Sequence, residues 1–286
     1  MDNDAAAADA VTDAAQALDR LQVSKDTKTT LDDCKQDAPA PIILCDAFYG
    51  FPTQKRPRNE RVRAVSRQLT NFLQWRSEAS VRNSKNNHSD VYVLGTGKDI
   101  ESVKSRVDEL GTQTKASTEE IIFQPDIEIH EFLDQQKSTQ DSVQEEVIYL
   151  SPDATYTLPT TCRPPRIVIV GMLIDRRITE DRSRRRAEES LKIRAAKLPL
   201  DELRVTELSS CEPLNVDTVM ELMQRWRWNC DKVEERLQQI EGSEKSEGDR
   251  TEKYNHLYKK CFIEAAAFAM KSQRDRHPNR TVHKTD

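Results

Sequence analysis

Ile167-Val168-Ile169-Val170-Gly171-Met172-Leu173-Ile174-Asp175 is the stretch on which the fold turns. Four consecutive β-branched residues leave no polar face. That is what a strand covered on both sides of a parallel sheet requires. The run stops at Gly171, the only glycine between residues 112 and 241. The chain holds seven glycines in 286 residues, where average usage would give about 20. In such a chain, a glycine at a strand end marks a close approach of backbone to another group. Asp175 follows three apolar residues later. Ligands in open α/β sheets bind beyond the carboxyl ends of strands, so Asp175 is a candidate site residue; a loop or helix cap is its alternative role.

Working outward, Pro41 to Cys45 and Val91 to Leu94 (ending at Gly95) read as further buried strands, as do Ile121 to Phe123 and Val147 to Leu150. A short strand is expected around Lys197 to Leu200. Val62, Val65, Leu69 and Phe72 recur at helical spacing and predict an amphipathic helix over 58–75. Ile100, Val103 and Val107 mark another. A basic helix is expected over 181–193, a helix or helix pair over 215–240, and a last helix carrying Tyr254 to Phe268, polar and frayed from Ser272. Strands alternating with helices give an α/β fold with a mostly parallel sheet flanked by helices. Asp46 closes the first strand as Asp175 follows the fifth, with the same two roles open to it.

Residues 1–40 read as a disordered acidic arm, with net charge −6 through Asp46 and a short helix near 11–22. The folded domain is expected over 41–240, and 241–286 as a polar linker, C-terminal helix and tail. No stretch approaches the ~18 apolar residues of a membrane span, so no membrane association is expected. The N-terminus lacks the basic and apolar regions of a secretory signal and is too acidic for a mitochondrial presequence. The six cysteines form no CxxC pair and read as reduced thiols. Histidines 88, 130, 256, 277 and 283 have no metal-ligand spacing, so metal catalysis is not expected. Gly95-Thr96-Gly97-Lys98 lacks the flanking residues of a phosphate loop and reads as a strand-to-helix turn with Asp99 as N-cap. No GxSxG elbow is present.

The formal charge of −5 averages opposed blocks. Lys55 to Arg67 is net +5, Arg163 to Lys197 net +6, and Asp99 to Asp153 net −10. A basic run is often only a solvated helix face. Two arginine-dominated blocks inside the folded part make an RNA- or phosphate-binding face an equal alternative, because the guanidinium fork suits phosphate.

At these residues the chain resembles the tRNA purine-9 N1-methyltransferases of the SPOUT class. The resemblance rests on Val147-Ile148-Tyr149-Leu150-Ser151-Pro152-Asp153, on the run from Ile169 to Asp175, and on Ala187. It continues through Ala196-Lys197-Leu198-Pro199-Leu200 and Leu214 to Leu222, in the family's order and spacing. Leu44-Cys45-Asp46-Ala47-Phe48 and Ser66-Arg67-Gln68-Leu69 fit more loosely. Met172 stands where the family has a second glycine, and Asp217 where many members have Asn. These replacements, with Leu198-Pro199-Leu200-Asp201, look closer to the branch serving mitochondrial RNase P.

The resemblance implies a SPOUT fold with a C-terminal trefoil knot and S-adenosyl-L-methionine as cofactor. Its contacts would fall on Leu150, Gly171, Met172, Arg176, Arg177, Ile178, Ser183, Leu198, Asn215, Val216 and Asp217. Methylating N1 of guanine requires loss of a ring proton, and the family's proposed base matches Asp175. Gln68 and Asp46 would orient the purine or shape the pocket. A buried N1 would need base extrusion. Arg61, Arg63, Arg67, Arg176, Arg177, Arg182, Arg184, Arg185 and Arg186 are the implied phosphate contacts. The expected activity is methyl transfer to N1 of guanine, or of adenine, at position 9 of tRNA. The alternatives are a tRNA-binding scaffold in an RNase P-like complex and a generic α/β nucleotide-binding protein. A monomer in the nucleus or cytoplasm is expected, with the mitochondrion as the alternative.

Overall fold

Short β-branched runs are cheap to extend and costly to leave exposed, and here they stack side by side. The structure is a computed structural model that describes residues 40–82, 88–114, 117, 119–136, 147–173, 180–200, 214–240 and 247–276. All of these lie in the unit Ala40–Asp286. In chain order the elements are β1 (Ile42–Asp46), α1 (Lys55–Arg82), β2 (Asp90–Gly95), α2 (Gly97–Thr114), β3 (Ile121–Pro125), α3 (Ile129–Gln136), β4 (Val147–Leu150) and β5 (Ile167–Gly171). There follow a single turn α4 (Arg182–Arg185), a π-helical turn (Arg186–Ser190), β6 (Ala195–Ala196), α5 (Val216–Ile240) and α6 (Glu247–Arg276). The expected acidic arm and its helix at 11–22 lie outside the described residues.

The six strands form one sheet in the order β3-β2-β1-β5-β4-β6, and every pairing is parallel. This is the α/β class expected. The knot expected in its C-terminal part depends on residues 174–179 and 201–213, outside the described residues. Alternation along each strand sorts the side chains onto two faces. Ile43, Cys45, Val91, Val93, Ile148, Val168 and Val170 meet Leu69 and Phe72 of α1, Val103 of α2, Met220 of α5 and Phe262 of α6. On the other face Ile42, Leu44, Tyr149, Ile167 and Ile169 meet Phe132 of α3, with Ala187 and Leu191.

Several elements differ from the sequence expectation, each for a physical reason. The basic helix expected over 181–193 is one α turn followed by a π turn, closed by the Leu191 N–H on the Arg186 carbonyl at 3.0 Å. Strand pairing sits at Ala195–Ala196, with only a bridge from Lys197 to Thr157, rather than over 197–200. Helix α3 had too few apolar residues to show a period. Asp99 is inside the first turn of α2, where it accepts from the Thr96 hydroxyl at 3.0 Å and from Arg58 at 2.8 Å; it is not the N-cap. Helix α6 begins within the stretch read as linker and runs past Ser272 to Arg276, because its buried stripe (Cys261, Phe262, Ala265, Ala266, Ala269, Met270, Gln273) continues to the end.

The amino ends of the strands are fastened by α5. Arg227, 3% exposed, donates to Ser89 Oγ at 2.7 Å, to the Arg166 carbonyl at 2.9 Å, and to the Pro165 carbonyl. Burial lowers its pKa to about 9. Beside it, Arg76 of α1 donates to His88 Nδ1 at 3.1 Å and pairs with Glu120 at 2.9 Å. Burial, then the Arg76 charge, lowers the His88 pKa from 6.5 to about 4. Between those two values the unfolded chain binds a proton that the folded chain refuses, so stability falls as pH drops through that window. Urea unfolding at stepped pH should show this fall, and His88→Gln should flatten it; an unchanged slope in the variant would assign the effect to other groups.

Candidate active site

The parallel register brings the carboxyl ends of all six strands to one edge. Asp46 of β1 lies opposite Gly171 of β5, and Leu150 of β4 lies between Val170 and Ala196. By alternation the Asp46 side chain shares the face of Ile42 and Leu44. It is fully buried, and a buried carboxylate must be paired and hydrogen-bonded. Its Oδ2 accepts from the Tyr149 hydroxyl at 3.0 Å and from Arg186 Nε at 3.1 Å, and its Oδ1 from the Phe48 N–H at 3.0 Å.

Tyr149 in turn meets the Tyr49 hydroxyl at 2.5 Å. Burial, followed for Tyr149 by the Asp46 charge, pushes both phenols up, so both keep their protons at neutral pH. Since the Tyr149 proton goes to Asp46, Tyr49 donates to Tyr149. Gly171 makes this chain possible. A Cβ there would sit 2.9 Å from Tyr149 Oη and 3.0 Å from Tyr49 Oη. The glycine is required by side chains crossing over it, not by its backbone angles.

The π turn supplies the cation. Asp181, in the left-handed region at φ 60°, donates its N–H to Asp153 Oδ2 at 2.8 Å and starts the turn. Ser183 meets Ser151 at 2.7 Å, just beyond β4. Arg182 donates to the Tyr49 carbonyl at 2.9 Å and lies over the Tyr49 ring; Arg186 lies over the Phe48 ring. Arg186 Nη2 is buried without an acceptor among the described residues. π turns are frequent at functional sites, and this one begins at Arg186, the residue that meets Asp46.

Asp46, Gly171, Arg182, Ser183 and Arg186 thus form one polar cluster. Leu150, Met172, Leu198 and Val216 belong to the apolar cluster on the other face. Met172 is 2% exposed, its N–H on the Asp46 carbonyl at 2.9 Å. Among the described residues Gln68 does not join the polar cluster; its Oε1 accepts the Val216 N–H at 2.7 Å. Asp217 is fully buried and accepts from Asn71 Nδ2 at 3.1 Å. Asn215 donates its N–H to Gln273 Oε1 at 2.9 Å. Asp175, Arg176, Arg177 and Ile178 lie outside the described residues.

Of the arginines, Arg63, Arg67 and Arg185 are exposed and Arg61 is half-buried. Arg184 is held by Asp181 at 2.8 Å and Glu188 at 3.3 Å. The sequence reading did not pick out Tyr49, Tyr149, Asn71, Gln273 or Arg276. Tyr149 reads as one more apolar strand residue, and nothing local joins it to a tyrosine 100 residues away.

A parallel sheet flanked by helices, with a polar cluster and an apolar shelf at its carboxyl edge, is the α/β architecture in which ligands bind at that edge. The family model described as tRNA (guanine(9)-N(1))-methyltransferase TRM10/TRM10A matches residues 67–245, and the chain belongs to that family of tRNA methyltransferases. Asp46 and Tyr49 precede the matched stretch and α6 lies beyond it. No curated protein matches. Among solved structures, the chain is similar to full-length spTrm10 in complex with SAH, at 19% identity and TM-score 0.46, covering 79% of this chain and 96% of that one. It is also similar to spTrm10(74), at 20% identity and TM-score 0.46, covering 78% and 92%. The dual-specific Trm10 of Thermococcus kodakaraensis matches at 13% identity and TM-score 0.42, covering 65% and 90%.

Two variants test the cluster. Tyr149→Phe removes one donor from the buried carboxylate and should cost about 1.5–3 kcal/mol, read from denaturant midpoints at constant slope. Gly171→Ala should displace the tyrosine pair and cost about 1–3 kcal/mol. A neutral Gly171→Ala would show that the pair does not need the gap.

Proposed function

We propose that the protein binds S-adenosylmethionine at the carboxyl edge of the sheet and methylates N1 of guanine at position 9 of tRNA. The observation that carries this reading is the family match, which spans Gln68, Leu150, Gly171, Ser183 and Asn215 to Asp217 in one run. The residues present suit the cofactor. Leu150, Leu198, Leu214 and Val216 adjoin in one apolar cluster, and Leu198 and Leu214 stay half-buried. That is an apolar shelf of the kind a purine and a thioether chain require. When bound, S-adenosylmethionine supplies an electrophilic methyl group.

The chain's own residues do the rest. Asp175 takes the N1 proton of guanine, which must leave as the nitrogen attacks. Asp46 is already engaged by three donors, which supports a role in shaping the edge: it holds Arg186 and Tyr149 in place. Arg186 Nη2 remains as a donor for an oxygen of the bound purine or its phosphate. Arg63, Arg67 and Arg185 offer exposed charge to the tRNA backbone.

Adenine N1 carries no proton to remove, so Asp175→Asn should lower guanine methylation more than adenine methylation. Transfer of labelled methyl to unmodified tRNAs carrying G9 or A9 measures both, and equal losses would remove Asp175 as base. A second reading, a tRNA-binding scaffold in a processing complex, draws on Met172, whose buried side chain occupies the place of the family's second glycine. Tight tRNA binding with no methyl transfer would establish the scaffold and overturn the enzyme. Neutralising Arg63 and Arg67 together should lower the salt dependence of tRNA affinity by about two phosphate contacts' worth of slope.

A further inference from the structure

The first backbone N–H groups of a helix have no acceptor within the helix. At the start of α5 two of them are satisfied by glutamines from other helices. Gln68 Oε1 of α1 accepts from Val216 at 2.7 Å, and Gln273 Oε1 of α6 accepts from Asn215 at 2.9 Å. Gln273 is 5% exposed and Asn215 half-buried. One turn on, Arg276 of α6 reaches the same place. Its Nε is 3.5 Å from Asp217 Oδ2, and its Nη1 donates to Glu221 Oε2 at 3.2 Å and to Ser272 Oγ at 2.9 Å. Its Nη2 donates to Thr218 Oγ1 at 3.4 Å. Asp217, Thr218 and Glu221 are all fully buried.

The path of the chain through 215–217 is therefore set by α6 as much as by α5. Asp217 turns its carboxylate toward Asn71 and Arg276. With an arginine opposite, an acidic residue is the one that balances charge at this position. Without Arg276, the buried Asp217 would lose its cation, while Glu221 would keep Arg225 at 2.9 Å, and an uncompensated buried carboxylate at the start of the helix is costly.

We propose that Gln273 and Arg276 are positioning residues for the cofactor, so that the C-terminal helix, although beyond the family-matched stretch, completes the cofactor site by fixing Asn215, Val216 and Asp217. This rests on the reading above that these three residues meet S-adenosylmethionine. The helix is not needed to contact the cofactor. It sets where the Asn215 backbone lies by accepting its N–H, while Gln68 of α1 accepts that of Val216 and the Asn215 carbonyl receives the Val219 N–H at 3.0 Å.

The test uses the full chain and S-adenosylhomocysteine as probe in titration calorimetry, with thermal melts and steady-state kinetics alongside. Gln273→Leu keeps volume and removes the acceptor. It should weaken S-adenosylhomocysteine binding roughly tenfold, the scale of one lost buried hydrogen bond. It should raise KM for S-adenosylmethionine by a similar factor, with kcat at saturating cofactor and KM for tRNA unchanged. Phe262→Leu thins the α5–α6 packing three turns away, against Trp226, and should lower Tm while leaving cofactor affinity intact. Arg276→Gln should follow Gln273→Leu. The proposal falls if Gln273→Leu binds the probe as tightly as wild type, or if affinity simply tracks Tm across Gln273→Leu and Phe262→Leu. If the wild-type chain binds no S-adenosylhomocysteine at all, the cofactor reading itself is wrong and the positioning role goes with it.

Discussion

One carboxylate placed inside a sheet constrains the whole carboxyl edge. Asp46 has no contact with water, and an unpaired buried charge would cost several kcal/mol. The cation comes from Arg186, 140 residues on, at the point where the α turn gives way to the π turn. The neutral donor comes from Tyr149, which can reach because Gly171 lies between the two strands with nothing on its Cα. Tyr49 then closes over both. Remove the burial of Asp46 and there is no reason for the glycine, the π turn or the tyrosine pair to be where they are.

The two ends of the sheet are treated differently. At the amino end, Arg227 gathers Ser89, Pro165 and Arg166 into a closed knot of hydrogen bonds. At the carboxyl end, polar groups are tied on one face and an apolar shelf stands on the other, with Arg186 Nη2 left over. Helix α5 runs between these regimes. Its middle is bolted to the amino end by Arg227, and its start is held at the shelf by glutamines from α1 and α6. One helix is thereby tied at both ends of the sheet by side chains from other elements.

The strands were legible because each is a short apolar run, and a parallel sheet buries both faces of such a run. The amphipathic periods of α1 and α2 were legible for the same reason: burial writes a pattern into the chain. Helix α3 was too short to show a period. The basic segment reads as a plain helix because nothing local in it marks the change from α to π hydrogen bonding at Arg186. Asp46 and Gly171 could be singled out by their positions at strand ends, but their partners could not. A hydrogen bond between tyrosines 100 residues apart, or between Gln273 and the Asn215 backbone, leaves no local trace.

By itself the sequence determined the α/β class and the family, because hydrophobic patterning and motif spacing are properties of the chain taken in order. Tertiary structure alone decided that Asp46 is an engaged structural carboxylate, that Gly171 is a gap for two phenols, and that Gln68 and Gln273 hold the same turn. These are pairings between distant residues. They depend on strand order, register and helix docking, and side-chain hydrogen bonds acquire their partners only once those are set.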